Sequence, residues 1–291
     1  MKVFVTGASG FVGSEVVREL LSAGHQVVGL ARSEASAQAI RNAGAEVLMG
    51  DLEDLSALKK GASEADGVIH TGFIHDFARF AQSNEVEKVA INAMGEVLMG
   101  TAKPIVVTAG ILGLPQFNGV VTEDSVLQIP LRTSEPTALA LAEKGIHASV
   151  VRLAPSTHDK GDGGFIPFMI HQARTNGVSA YPGDGSNHWP AVHRKDAAKL
   201  FRLAVEKGAK GALYNAVGDR GIELKKIAEL IGETLNLPVK SISEAEIEQH
   251  FQWMSKFIGF DSPASNQKTQ EALGWKPEHI GLLEDMTKNY F

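Results

Sequence analysis

Residues 6–13 read Thr6-Gly7-Ala8-Ser9-Gly10-Phe11-Val12-Gly13, three glycines spaced three apart between a strand-like run and a helix-like run. Residues of these types in this order hold phosphate. Gly7 permits a tight turn, Gly10 lets backbone come close to a phosphate with no Cβ in the way, and Gly13 lets the next helix pack tightly on the strand. The helix start adds free N–H groups and the positive end of its dipole. The expectation is a dinucleotide site built from Thr6, Gly7, Ser9, Gly10, Phe11, Val12 and Gly13, because strand–turn–helix is the context that the fingerprint requires.

The next chemistry-bearing position is the tip of the second strand, which reads Leu30, Ala31, Arg32, Ser33. A site for NAD usually has an Asp or Glu here, on the ribose 2′-hydroxyl. No carboxylate stands at this tip, and Glu34 comes only beyond it. Arg32 can instead give a charge-assisted bond to a 2′-phosphate, a contribution of about 1.5–3 kcal/mol, and Ser33 can add a second bond. NADP is therefore expected over NAD, against the alternative that Arg32 is a solvated helix-start residue.

Groups for proton transfer are fewer. The chain has ten His and no Cys, so thiol nucleophiles and thiolate metal sites are excluded. His70 lies in a strand, and Thr71 and Gly72 follow it where a cofactor would cross the sheet edge. His75 sits in the next loop, and His158 follows a later strand, at the expected substrate mouth. His is the natural acid near neutral pH, so His75 and His158 are candidate catalytic groups. Thr108, at the end of another strand, is a candidate for positioning a substrate oxygen. His70 and His75 are five apart rather than at the i, i+4 spacing of a helical metal pair, and no metal is expected.

Elements that could position these residues alternate along the first half. Strands are expected at 2–6, 26–31, 45–50, 66–71, 104–109 and 147–153, with helices following residue 11 and over 34–43, 76–100 and 134–144. The strands are continuous Val/Ile/Leu runs, the mark of a parallel sheet covered on both faces. The fold class is α/β, a Rossmann-type doubly wound parallel sheet with a smaller C-terminal substrate lobe. Residues 1–154 are expected to form the dinucleotide-binding core. Residues 155–291, dense in Gly and Pro at first and then helical over 194–207, 222–235, 265–273 and from 279, form mainly the substrate lobe, with some segments returning to the core. A net charge of −6 argues against nucleic-acid binding. No run approaches the roughly 18 apolar residues of a membrane span, and no targeting segment is read at the N-terminus. A cytoplasmic protein with a small-molecule substrate is expected.

The spacing Gly-x-x-Gly-x-x-Gly resembles the extended short-chain dehydrogenase/reductase family, also called the NAD-dependent epimerase/dehydratase family. Asp51-Leu52 resembles that family's adenine-contacting pair, Asn92-x-x-Gly95 its helix-four pattern, Arg152 with Pro155 its Arg-x-Pro segment, and His193-x-x-Asp196-Ala197-Ala198 its late His-x-x-Asp segment. The resemblance implies a Rossmann core and bound NAD(P), and pairing into a homodimer through helices four and five. Those helices carry Val86, Val89, Ala93, Val97, Leu139, Ala140 and Leu141, a face that could also be covered within the chain.

One part of the family pattern is absent. Its chemistry usually rests on Tyr-x-x-x-Lys, with the Tyr as acid/base. Tyr181 and Tyr214 are followed four places on by Gly185 and Gly218, and Tyr290 is the penultimate residue. The Tyr and Lys slots fall near Leu131 and Glu135. Two readings stay open. In one, the protein is an NADPH-linked oxidoreductase that reduces a small carbonyl with a non-standard site, where Phe73, Phe77, Phe165, Phe168 and Trp189 shape the substrate side. In the other it is a non-enzymatic NADP-sensing regulator. Sugar-nucleotide epimerisation fits less well without the dyad.

Overall fold

The computed structural model describes residues 1–76, 79–126 and 131–291; Phe77 lies outside them. Seven parallel strands form the central sheet, in the order β10-β6-β5-β4-β1-β2-β3. They are β1 (Lys2–Thr6), β2 (Gln26–Ala31), β3 (Glu46–Met49), β4 (Gly67–His70), β5 (Ile105–Gly110), β6 (Ala148–Leu153) and β10 (Leu213–Ala216). The first six match the runs expected from composition, and the fold is the Rossmann-type doubly wound sheet. Val3, Phe4, Val5, Val68, Ile69, Val106, Val107, Val150 and Val151 are all fully buried, because helices cover both faces. The order of strands reverses between β1 and β4, which leaves a crevice beyond their carboxyl ends.

Helices α1 (Phe11–Ser22) and α2 (Glu34–Asn42) cover one face, and α3 (Leu55–Glu64), α4 (Phe80–Leu98) and α5 (Ser134–Glu143) the other. The sequence reading has no counterpart of α3, whose interior Gly61 weakens a helical pattern. The reason for that glycine is packing: a Cβ there would lie 2.5 Å from the Phe4 ring. Asp54 starts α3 by accepting the Ala57 N–H at 3.0 Å. On α4 and α5, Ala93 and Leu141 are buried, and a Cβ at Gly95 would meet Leu141 at 2.6 Å, so much of the apolar face expected for dimer contact is covered within the chain. Val89 and Ala140 stay exposed.

After β6 the chain builds the second lobe and returns to the sheet three times. α7 (Arg194–Lys207) packs Leu200, Phe201 and Ala204 into the core beside α1, and β10 extends the sheet. α11 (Gln267–Leu273) also returns, with Leu273 in the sheet core beside α7 and β10, and the lobe itself holds β7 (Ser156–His158), α6 (Phe165–Asn176), β8 (Ser179–Pro182), β9 (His188–His193), β11 (Asp219–Glu223), α8 (Leu224–Leu235), β12 (Val239–Ile242), α9 (Glu244–Phe251), α10 (Ser255–Ile258) and α12 (Leu282–Asn289). Its own core runs through Ile166, Ile170, Trp189, Ile227, Phe251 and Met286. Among the described residues no helix is long and apolar enough to cross a membrane.

Arg152, fully buried in β6, ties this frame together. Its Nε and Nη2 donate to the two carboxylate oxygens of Glu135 at 2.6 Å each. The same guanidinium reaches the carbonyls of Thr122, Glu123 and Ser125, so it pins the loop after β5 to the start of α5. Breaking one side of such a pair strands a charge in apolar surroundings, at a cost of about 3–5 kcal/mol. Arg152→Met is accordingly expected to lower the urea midpoint steeply, and Arg152→Met/Glu135→Leu to recover most of the loss. A single variant that unfolds at the wild-type midpoint would contradict this role.

Candidate functional site

A cavity of about 1060 Å³ runs along the carboxyl edge of the sheet and into the second lobe. Its first wall is the glycine turn. Gly7 has φ +68°, and a Cβ on it would lie 2.8 Å from the Gly72 nitrogen. Gly10 folds back to donate its N–H to the Gly7 carbonyl at 2.8 Å. A Cβ on Gly13 would lie 2.1 Å from that same carbonyl oxygen, so α1 sits against the turn as closely as backbone allows. Phe11, Val12 and Gly13 open α1, and their N–H groups have no intrahelical acceptor. They line the cavity together with Ser9. This cradle of bare backbone and open donors fits a dinucleotide pyrophosphate.

A hydrogen-bond knot holds the turn against β4. The Thr71 hydroxyl donates to the Thr6 carbonyl at 2.7 Å, and the Gly72 N–H donates to the Thr6 hydroxyl oxygen at 3.2 Å. The Thr6 hydroxyl lies 2.8 Å from His70 Nδ1. The pair is a hydrogen bond in either tautomer of a neutral imidazole. Burial, helped by the Arg132 cation, lowers the His70 pKa to about 3. His70 is thus structural, and its carbonyl accepts the Thr108 hydroxyl proton at 2.8 Å. Thr108 lines the cavity but spends its donor on the backbone; only its lone pairs face a ligand.

At the other end, Arg32 and Ser36 line the cavity beyond β2, as do Gly50, Asp51 and Leu52 beyond β3. Ser33 caps α2 by accepting the Ser36 N–H at 3.2 Å and is not part of the lining; Ser36, which the sequence reading passed over, takes its place on the wall. Asp51 Oδ1 accepts the N–H groups of Glu53 and Asp54 at 2.9 and 3.0 Å, which fixes its loop at the cavity end. Asn92 is exposed and bonds the Lys88 carbonyl of its own helix at 2.9 Å.

The catalytic candidates separate. His75 stands at the exposed rim, edge-on to Phe73 at 5.2 Å. Desolvation against the wall and the Arg132 cation hold its imidazole below the ordinary value. His158 is not at the substrate mouth: it is 1% exposed, pairs Nδ1 with Asp285 at 2.8 Å and packs against His193, away from the cavity. The Leu131 and Glu135 slots hold no substitute dyad, since Glu135 is bound to Arg152. Among the described residues the lining includes neither Tyr nor Lys. Asp159, His193 and Asp285 bring three ligand-type atoms within 4.8 Å of one another. Protein donors already serve them, with Arg194 on Asp159 at 2.8 Å, the Lys195 N–H on His193 at 3.3 Å and His158 on Asp285.

The second-lobe end of the cavity contains residues that sequence patterns did not bring forward. Phe73, Phe165 and Phe168 line it as expected, whereas Trp189 is fully buried behind Phe165. Trp253 and Phe257, from the 3-10 turn 252–254 and α10, complete the wall. Asp162, in the loop before α6, faces the cavity. Its carboxylate accepts the Gly164 N–H at 2.7 Å and the Tyr290 hydroxyl at 2.9 Å. Burial pushes its pKa up, against those two bonds. The DG-rich loop 162–164 was the available signal, but nothing local marks its acid as cavity-facing.

Two outcomes follow. Gly7→Ala is expected to weaken dinucleotide binding at least about tenfold, because a left-handed Ala and its Cβ contact together displace the turn by strain of about 1–3 kcal/mol; a fluorescence titration giving wild-type affinity would refute the cradle. His70 titrates near 6.5 when unfolded and about 3 when folded. The unfolded state therefore gains the proton first, and stability is lost as pH falls below 6.5. Urea melts from pH 7 to pH 4.5 should show a shallower loss for His70→Gln than for wild type; equal slopes would contradict a neutral buried imidazole.

A family model described as NAD(P)H-binding matches residues 7–179. An uncharacterized protein of Schizosaccharomyces pombe is 47% identical over 294 residues, covering 100% of both chains. The 4-hydroxy-2-methyl-3-oxo-4-farnesyl-3,4-dihydroquinoline-1-oxide ketoreductase of Stigmatella aurantiaca is 27% identical over 80% of this chain and 73% of its own. Among solved structures, the UDP-glucose 4-epimerase of Thermotoga maritima superposes with a TM-score of 0.78 at 19% identity, over 100% of this chain and 98% of that one. With its glycine cradle, its strand order and this match over more than half its length, the chain belongs to the NAD(P)H-binding family, within the extended short-chain dehydrogenase/reductase group that includes the NAD-dependent epimerases and dehydratases.

Proposed function

We propose that this protein is an NADP-linked oxidoreductase that reduces a small carbonyl substrate without a tyrosine–lysine pair. The observation that carries the reading is the continuity of one cavity from Arg32, past the glycine turn, to the aromatic chamber of the second lobe. That course suits a dinucleotide lying with its adenosine end at Arg32 and its nicotinamide toward Thr108 and Pro155. Support for the 2′-phosphate comes from the charges at β2. Arg32 is exposed and makes no ion pair among the described residues, while the nearest acid beyond it, Glu34, is bound to Arg41 at 2.6 Å. The relative from Stigmatella aurantiaca is named a ketoreductase, which supports the carbonyl class.

A bound nicotinamide supplies hydride to the carbonyl carbon. The residues of this chain must hold the carbonyl and provide a proton to its oxygen. His75 is a poor donor near pH 7, since its pKa lies below the ordinary 6.5. Asp162 has the opposite shift, so it keeps its proton further toward neutral pH. In the proposed step the Asp162 O–H passes its proton to the carbonyl oxygen. The resulting carboxylate is held by the Gly164 N–H and the Tyr290 hydroxyl, and is reprotonated by solvent. Thr108 offers only lone pairs and accepts from the nicotinamide side or from product hydroxyl. A second reading, a cofactor sensor, is favoured by the lack of Tyr and Lys in the described lining.

NADPH is expected to bind roughly ten- to a hundredfold more tightly than NADH, the factor for one charge-assisted bond. Arg32→Glu should abolish or invert that ratio; an unchanged ratio would sink the assignment. In turnover, kcat/KM should fall as pH rises through the Asp162 pKa, because the acid form is the active one. Asp162→Asn should lose about 10²–10⁴ in rate with cofactor affinity kept. Tight NADPH binding with no turnover across aldehydes, ketones, quinones and imines would replace the enzyme reading by the sensor.

A further inference from the structure

The far end of the cavity differs in kind from its cofactor end. Phe165 and Phe168 rise from the first turn of α6, and Trp253 and Phe257 descend from the opposite segment. Their rings pack into one wall: Phe168 to Trp253 at 4.9 Å, Phe165 to Trp253 at 5.6 Å and Phe165 to Phe257 at 5.6 Å. Each remains partly exposed, and the exposed part faces the cavity. Aromatic faces of this sort favour offset or edge-on contact with another ring.

The polar groups nearby disfavour an anion. The start of α6 is where a phosphate would find free N–H groups, but Asp162 already takes the Gly164 N–H there and sets its own carboxyl in that place. The described lining has two cations. Arg32 stands at the adenosine end. Arg132 is bound to buried Glu87 and lies over the Phe73 ring at 4.1 Å. A nucleoside-diphosphate group in the second lobe would meet an acid at the helix start and no uncommitted cation.

We infer that the second-lobe chamber is a subsite for a neutral, flat aromatic substrate, and that it rejects nucleotide sugars. The inference rests on the oxidoreductase reading for what happens to the ligand, but not for its binding. The ligand's ring would lie against this aromatic wall, with its oxygen pointing back toward Asp162.

The test uses the full chain without cofactor and reads binding alone. Of the three tryptophans, Trp189 and Trp275 are 0% exposed, so cavity ligands should act on Trp253 emission. Acetylnaphthalene, a neutral bicyclic ketone, should quench saturably, with the affinity checked by calorimetry. Trp253→Phe should remove the quench. Phe168→Ala should weaken calorimetric affinity about tenfold, the scale of one lost aromatic contact with its buried area, and Phe168→Leu by less, which guards against a misfolded variant. Millimolar UDP-glucose should neither bind nor compete. Competition by UDP-glucose, non-saturable quenching, or full affinity in Phe168→Ala would overturn the subsite. Saturable binding of a ketone that NADPH never reduces would leave the subsite standing and count against the oxidoreductase reading. Reduction of aliphatic aldehydes with no naphthyl binding would do the reverse.

Discussion

The knot between the ends of β1 and β4 is the contact on which the site depends. Thr6 receives the Thr71 hydroxyl and the Gly72 N–H, and its hydroxyl is hydrogen-bonded to Nδ1 of a neutral His70. These bonds bring β1 and β4 so close that Gly7 cannot carry a side chain, and the turn they hold leaves no room for one on Gly13. The same closeness leaves a concave strip of bare backbone at the switch point of the sheet. His70 is the part of the knot with a standing cost: its Nε2 is buried with no partner among the described residues. A neutral ring tolerates that far better than a charged one, and the low pKa follows from it. The carbonyl of the same residue orients Thr108, so the knot also sets the wall where a nicotinamide would lie.

From that fixed strip the cavity widens into a chamber made by the second lobe. The buried Arg152–Glu135 pair ties β6 to the first turn of α5 beside that chamber. Glu135, which lines the cavity, is held there by an arginine from β6. In the proposed reduction Glu135 is therefore committed, and the proton comes from another group. Asp162 is the described lining acid whose pKa shifts in the useful direction, and it reaches the cavity from the second lobe rather than from α5. Proton delivery in the proposed step would thus come from the second lobe rather than from the sheet edge.

Periodicity and glycine spacing made the Rossmann half legible. Six strands fell within a residue or so of their expected bounds, because fully buried parallel strands have little choice of composition. The glycine turn was legible for the same reason: only bare backbone fits there. α3 was not, since Gly61 exists for the Phe4 ring in another element. His158 looked like a mouth residue by its position after β6. Its partner Asp285, which buries it, lies 127 positions away. Trp253 and Asp162 carry no local mark of function, because they reach the cavity only when the second lobe folds back. Ser33 and Ser36 differ by one turn of α2, a distinction set by which hydroxyl caps the helix.

A crystal structure with NADPH tests the central claim most directly. The account predicts the pyrophosphate on the N–H groups of Phe11 and Val12, the 2′-phosphate on the Arg32 guanidinium, and the nicotinamide between Thr108 and Pro155 with its free face open to Asp162. A cofactor bound with its 2′-phosphate away from Arg32, or with its nicotinamide face closed off from the aromatic chamber, would contradict it.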